Sequence, residues 1–252
     1  MKDWFYAFFM AWGMFLAIPC PFPRWRESAR GRMLMCLPLI GLVEGGLWAL
    51  LVWLLAKLCL PEALGALCAA AFPWLVTGFL HLDGYMDVCD AVLSRRDLAT
   101  RQKILKDSHC GAFAVIAMVL LALTQWIVCQ SVSLNEIPLL PLAALPCAVR
   151  AAAALAVSHL RPLSTSQYAA QPKPPVGHTA ALVLMLAAAC VLPPLFCGMS
   201  GFAPLIGAAG YGLAVWYAFR QLDGMSGDVS GFALTLGELA GLAFLFLTRY
   251  YL

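Results

Sequence analysis

HLDGYMDVCDA, residues 81–91, closes an apolar run with one histidine and three aspartates. Asp83, Asp87 and Asp90 are spaced by four and then three residues. A helix carries all three on one face, whether the preceding apolar helix continues past His81 or a new one starts with Asp83 as its N-cap. Like charges within ~6 Å of one another repel unless a cation lies between them. Carboxylate oxygens are hard ligands that suit magnesium or manganese better than zinc or copper, and magnesium draws much of its shell from water and substrate phosphate. Asp83, Asp87 and Asp90 are therefore candidate Mg2+ ligands, and phosphoryl chemistry is the expected use. The alternative is a solvated loop in which they alternate with Arg95, Arg96 and Lys106.

The rest of the chain decides where this face sits. Of its 252 residues 63% are hydrophobic and only 12% charged, half the charged share of about a quarter that soluble domains carry. Apolar runs cover residues 4–18, 33–55, 64–80, 112–132, 137–157, 179–197, 202–219 and 232–251. Most are close to the ~20 residues that cross a bilayer as a helix, the element that satisfies its own backbone polar groups there. The expected fold is all-α, a polytopic bundle of seven or eight transmembrane helices forming one domain over residues 1–252. The first run is short, and is read either as a span or as a helix in the interface. Without a small-residue cleavage pattern after it, it is expected to be retained.

Basic residues set the orientation. Arg24, Arg26, Arg30 and Arg32 follow the first run; Arg95, Arg96, Arg101, Lys103 and Lys106 the third; Arg161 and Lys173 the fifth; Arg220 the seventh. The intervening loops hold Lys57, Glu62 and Glu136. Positive loops stay in the cytoplasm, so the regions near 81–111 and 220–231 are expected to face the cytosol from a bacterial inner membrane. The same scatter over four loops, without a patch of stacking aromatics, gives no reason to expect nucleic acid. Ten cysteines occur singly, mostly within apolar runs, where a thiol acts as a small hydrophobe. The connection 158–178, with Pro172, Lys173, Pro174 and Pro175, reads as a flexible cytosolic loop.

Two further stretches carry polar groups at span ends. In KDSHCG (106–111), Ser108 either caps the following helix or joins Lys106 and Gly111 in holding a phosphate on the free N–H groups there. In LDGMSGDVSG (222–231), Gly224, Gly227 and Gly231 allow backbone to approach a ligand closely, and Asp228, Gly231, Thr235 and Glu238 share one helical face. Glu44, Arg150 and Glu238 fall at membrane depth, where an ionisable group is unfavourable unless paired or wetted. Arg150 and Glu238 are thus candidates for substrate contact, or else Arg150 forms an internal ion pair with Glu44 or Glu238.

The motifs HLDG-x2-D-x2-DA (81–91), KDS-x2-G-x-F (106–113) and G-x-S-G-D-x2-G-x6-E (224–238), with AIPCPFP (17–23) and PLIGLVEGGL (38–47), resemble the adenosylcobinamide-GDP ribazoletransferases, the cobalamin synthases, over nearly the whole chain. The chain departs from that pattern at several positions. Ser226 replaces a common threonine, His109-Cys110 a common Arg-Ile, Leu93-Ser94 a glycine-rich turn, Ala114 a frequent glycine and Thr235 a common acidic or amide residue. The resemblance implies a magnesium-dependent step in which a ribose hydroxyl of α-ribazole, or of its 5'-phosphate, attacks adenosylcobinamide-GDP and GMP leaves. Asp83, Asp87, Asp90 and Asp228 would hold the metal; Asp228, His81 and Asp107 remain alternative proton acceptors; Lys106, Arg101, Ser108, Gly111 and Gly227 would hold phosphate. The lipid bilayer is the expected surroundings, and a homo-oligomer or association with other corrinoid-pathway enzymes is compatible with it. CDP-alcohol phosphotransferases share intramembrane aspartates but need D-x2-DG-x2-AR, which is incomplete here. An ion-coupled transporter would use the same membrane-depth charges, yet no internal repeat supports it.

Overall fold

The computed structural model describes residues 2–58, 60–163 and 176–251, apart from the side chain of Val176. Its helices are α1 (Lys2–Phe15), α2 (Met33–Lys57), α3 (Glu62–Val76), α4 (Leu80–Leu93), α5 (Leu98–Ile104), α6 (Ala112–Gln130), α7 (Leu139–His159), α8 (Val176–Cys197), α9 (Ala203–Leu222) and α10 (Gly227–Tyr251). Extended pairing among the described residues is confined to one bridge, Pro162 to Met225, which ties the end of α7 to the α9–α10 turn. The expected all-α membrane bundle is the observed fold. Most of the Pro-rich connection, residues 164–175, lies outside the described residues.

Five stretches are long and apolar enough to cross a membrane, or six if the bent α3–α4 pair counts as one span. One of the five, Gly177–Leu222, has 46 residues, about 69 Å of helix against a hydrocarbon core of ~30 Å. Gly198, at φ 57, turns the chain between α8 and α9, and Gly201 seats its backbone on Pro193 and Pro194. Counting α8 and α9 separately brings the passes to the lower end of the expected seven to eight.

The first run is not one of them. At 14 residues α1 reaches only about 21 Å. Asp3 pairs with Arg26 and Arg32 beside the start of α2, Trp4 packs edge-on against His178 near the start of α8, and the Ala17 N–H donates to the Val76 carbonyl at the end of α3. The helix therefore lies across one end of the bundle.

The run at 64–80 also departs from expectation. Gly78 stands at φ 61, its N–H donates to the Leu75 carbonyl, and the Phe79 N–H donates to the Trp74 carbonyl, the paired bonds of a Schellman stop. Phe79 follows at φ 62, and α4 leaves at 89° to α3. The aspartate helix is thus neither a continuation of the span nor capped by Asp83: it starts at Leu80 with Phe79 as its N-cap residue.

Glycines set the helix spacing. A Cβ on Gly41 would fall 2.5 Å from the Pro146 carbonyl oxygen, and one on Gly45 2.0 Å from that of Ala143, so α2 and α7 touch backbone to backbone. Beside this contact the Arg150 guanidinium pairs with both Glu44 and Glu238, joining α7 to α2 and α10; the three side chains are 1%, 0% and 12% exposed. The ion pair expected with one of the two glutamates is made with both.

Removing the cation strands two buried carboxylates, whereas neutralising all three groups does not. Arg150→Met is expected to lower stability by about 3–5 kcal/mol, and adding Glu44→Gln and Glu238→Gln to that variant to restore much of the loss. Thermal denaturation in one detergent checks this; an Arg150→Met protein that melts with the parent contradicts the clasp.

Candidate active site where two helices cross

The bend after α3 lays α4 against the first turns of α10, with no room for side chains between them. A Cβ on Gly84 would stand 2.9 Å from the Asp228 Cα, and one on Gly231 3.0 Å from the His81 carbonyl oxygen. The Thr235 hydroxyl also lies 3.3 Å from that oxygen. Gly231, expected to open room for a ligand, instead admits α4, while Gly224 packs on Leu163.

The rotation of α4 follows from its apolar side. Leu82, Tyr85, Val88, Cys89, Ala91 and Val92 are buried; Tyr85 stacks on Phe232 with centroids 5.7 Å apart and donates to the Ala117 carbonyl at 3.2 Å. The carboxylate face is left outward, with Asp83 exposed and Asp87 and Asp90 half-buried. Asp83, Asp228 and Asp90 all act electrostatically on Asp87, so the aspartates expected together are brought together across two helices. Ser226 fixes the Asp228 side: its hydroxyl accepts from the Val229 N–H at 3.2 Å and donates to Asp228 Oδ2 at 3.3 Å. The sequence offered a signal for this, a serine just before a helix start, which is the usual N-cap choice.

The opposite wall is the start of α6. A Cβ on Gly111 would fall 2.1 Å from Asp90 Oδ2, so a side chain there would push that carboxylate aside. Gly111 is the N-cap residue and no side chain caps the helix there, so Ser108 is not its cap. Asp83, Asp87, Asp90, Ser108 and Gly111 instead share the lining of a small cavity of about 70 Å³. It sets a carboxylate face, suited to a cation, against uncapped N–H groups, suited to an anion.

Other expected residues lie elsewhere. Lys106 is exposed on the loop before α6. Arg101 donates to the Gln221 carbonyl and side chain, docking α5 on the end of α9. Asp107 accepts from the His109 backbone N–H at 3.0 Å and contacts its ring at 2.6 Å; that contact holds its carboxyl below the usual range. Arg150 and Glu238 sit deeper, Glu238 ten residues and about 15 Å along α10 from Asp228. His81 is buried beneath the carboxylate face with its ring stacked on Phe15, a contact that composition did not signal. Gly227 and Asp228 stand at the start of α10 beside it, lining a second cavity with His81 and Asp83.

Among the described residues, no three His, Cys, Asp or Glu side chains already stand at metal-binding distances around one point. The donor chemistry nonetheless suits magnesium, because four carboxylates supply oxygen only and magnesium completes its shell with water and phosphate rather than with a protein cage.

A family model described as cobalamin-5-phosphate synthase matches residues 7–246. A Clostridium botulinum protein (strain Alaska E43) named adenosylcobinamide-GDP ribazoletransferase is 36% identical over 247 residues, covering 96% of this chain and 97% of its own. Proteins of the same name from Clostridium perfringens (strain 13) and Geobacillus kaustophilus are 36% and 31% identical, covering 97% and 94% of this chain and 99% and 94% of their own. No solved structure matches. These similarities leave the CDP-alcohol phosphotransferase and transporter alternatives without support.

The crossing itself is testable. Gly84→Ala has no space against the Asp228 backbone and is expected to destabilise by about 1–3 kcal/mol through overpacking. Gly46→Ala, whose Cβ meets nothing within 4 Å, is expected to melt with the parent. Equal melting temperatures for both variants would show that α4 and α10 do not touch there.

Proposed function

The chain belongs to the cobalamin-5-phosphate synthase family, and from that premise we propose that it joins α-ribazole, or its 5'-phosphate, to adenosylcobinamide-GDP with release of GMP. The observation that supports this reading is the crossing of α4 and α10: Asp83, Asp87 and Asp90 line a cavity with the uncapped start of α6, and Asp228 lines the neighbouring cavity that Asp83 also borders. Those four carboxylates would hold one or two magnesium ions, whose positive charge neutralises the diphosphate of the activated substrate.

This chain's own groups divide the remaining work. Ser226 donates to Oδ2 of Asp228, which leaves Oδ1 to accept the proton of the attacking ribose hydroxyl. Asp107 suits that role less, since its contact with His109 favours the ionised carboxylate and weakens it as a base. Ser108 and the N–H groups after Gly111 would hold the phosphate that leaves with GMP, and Lys106 adds positive charge from the same loop. Arg101, held on Gln221, would support the site by fixing α5. The basic loops support a site that opens to the cytosol from the inner membrane.

Purified protein in detergent, given adenosylcobinamide-GDP, α-ribazole and magnesium, is expected to release GMP and form the joined corrinoid. Chelation should stop turnover, and Asp87→Asn should lower it by about 100-fold or more. An Asp87→Asn protein with full magnesium-dependent turnover would remove the metal assignment; no GMP release from the parent would remove the transferase reading.

A further inference from the structure

The last carbonyl groups of a helix have no donor within it, and at the end of α9 they are answered from other elements. From α5, Arg101 Nη1 donates to the Gln221 carbonyl at 3.3 Å and Gln102 Nε2 to the Leu222 carbonyl at 2.8 Å. Arg161, just past α7, donates to the Asp223 carbonyl at 3.0 Å. Three consecutive carbonyls thus tie α5 and the end of α7 to one turn. The turn opens at Asp223, held at φ 62, and leads into Ser226 and Asp228.

The tie to α5 matters most, because apolar burial does not hold that helix in place. None of its seven residues is buried; the nearest buried side chain, Leu105, comes just after it. Its hydrogen bonds to α9 therefore do much to set its position. That position bears on the site, because α5 links the two walls of the small carboxylate cavity. The chain enters it from α4, which carries Asp83, Asp87 and Asp90, and leaves it through Ser108 and Gly111 at the start of α6. Gln102 stands six residues before Ser108, and its acceptor Leu222 six residues before Asp228.

We propose that Gln102 is a positioning residue, whose hydrogen bond to the Leu222 carbonyl sets the distance between Asp228 and the loop that holds the departing phosphate. The assignment rests on the transferase reading, which calls for a phosphate held opposite the carboxylates. A carbonyl oxygen only accepts, so the amide N–H of Gln102 faces it. Loss of that donor frees α5 without unmaking the crossing of α4 and α10, which is formed by Gly84 and Gly231. The carboxylates therefore keep their affinity for a cation, while the loop beside them no longer meets a bound diphosphate in register. Misplacing such a group by ~1 Å costs up to about a hundredfold in rate.

The test pairs steady-state kinetics with manganese(II) binding, both on detergent-purified protein. Gln102→Leu is expected to lower kcat/KM for adenosylcobinamide-GDP by about tenfold or more. Manganese affinity without substrate, the KM for α-ribazole and the melting temperature are expected to stay at the parent values. Gln102→Lys, which keeps an N–H donor in reach of the carbonyl, should recover most of the loss. Should Gln102→Leu fail to fold, Gln102→Glu removes the donor at nearly constant volume and is expected to give the same pattern. An unchanged kcat/KM, a loss that Gln102→Lys does not recover, or a loss matched by falls in manganese affinity and melting temperature overturns the assignment. Each of these leaves the transferase reading standing, which fails only if the parent protein releases no GMP.

Discussion

Two glycines decide how close α4 and α10 come, and that distance governs the chemistry of the site. With Gly84 against the Asp228 backbone and Gly231 against His81, Asp83 and Asp87 on α4 come within electrostatic reach of Asp228 on α10. Such an arrangement persists when the charge is answered by a cation, and it holds the carboxylates ready without requiring each to be aimed separately. The glycines so act on the electrostatics by removing side-chain volume, while Ser226 and Tyr85 fix the two helices in rotation.

The bundle beneath supplies the rigidity that this crowding demands. Arg150 binds α7 to both α2 and α10 well below the site. Because α10 carries both Glu238 and Asp228, the clasp in the interior also fixes the helix that presents the carboxylate at the membrane end. The bend at Gly78 complements the clasp. It ends a membrane helix and turns the next one across the bundle, so that α4 exposes its carboxylates instead of burying them in hydrocarbon. α1 closes the same end, bringing Phe15 onto His81.

Much of this was legible in the sequence because it depends on spacing alone. The four-and-three spacing of Asp83, Asp87 and Asp90 puts them on one face wherever the helix begins, and the charge at membrane depth required Arg150 to find carboxylates. What depends on backbone dihedrals was not legible from hydropathy: the run 64–80 reads as unbroken oil, yet Gly78 stops the helix inside it. The signal was present, since glycine at that place is the usual helix terminator. The burial of His81 was also available, since two residues before Asp83 is about 200° around a helix, away from the carboxylate face. The docking of Arg101 on Gln221 and the Asp107–His109 contact had no comparable signal, because both depend on how loops fold back.

The most direct test of a shared cation is manganese(II), a paramagnetic stand-in for magnesium, titrated into detergent-purified protein and followed by electron paramagnetic resonance. One or two ions are expected to bind per chain, with binding weakened alike by Asp83→Asn on α4 and by Asp228→Asn on α10. Tight manganese binding that survives the loss of Asp228 unchanged would mean that the two helices do not share the ion, and would contradict a site built on their crossing.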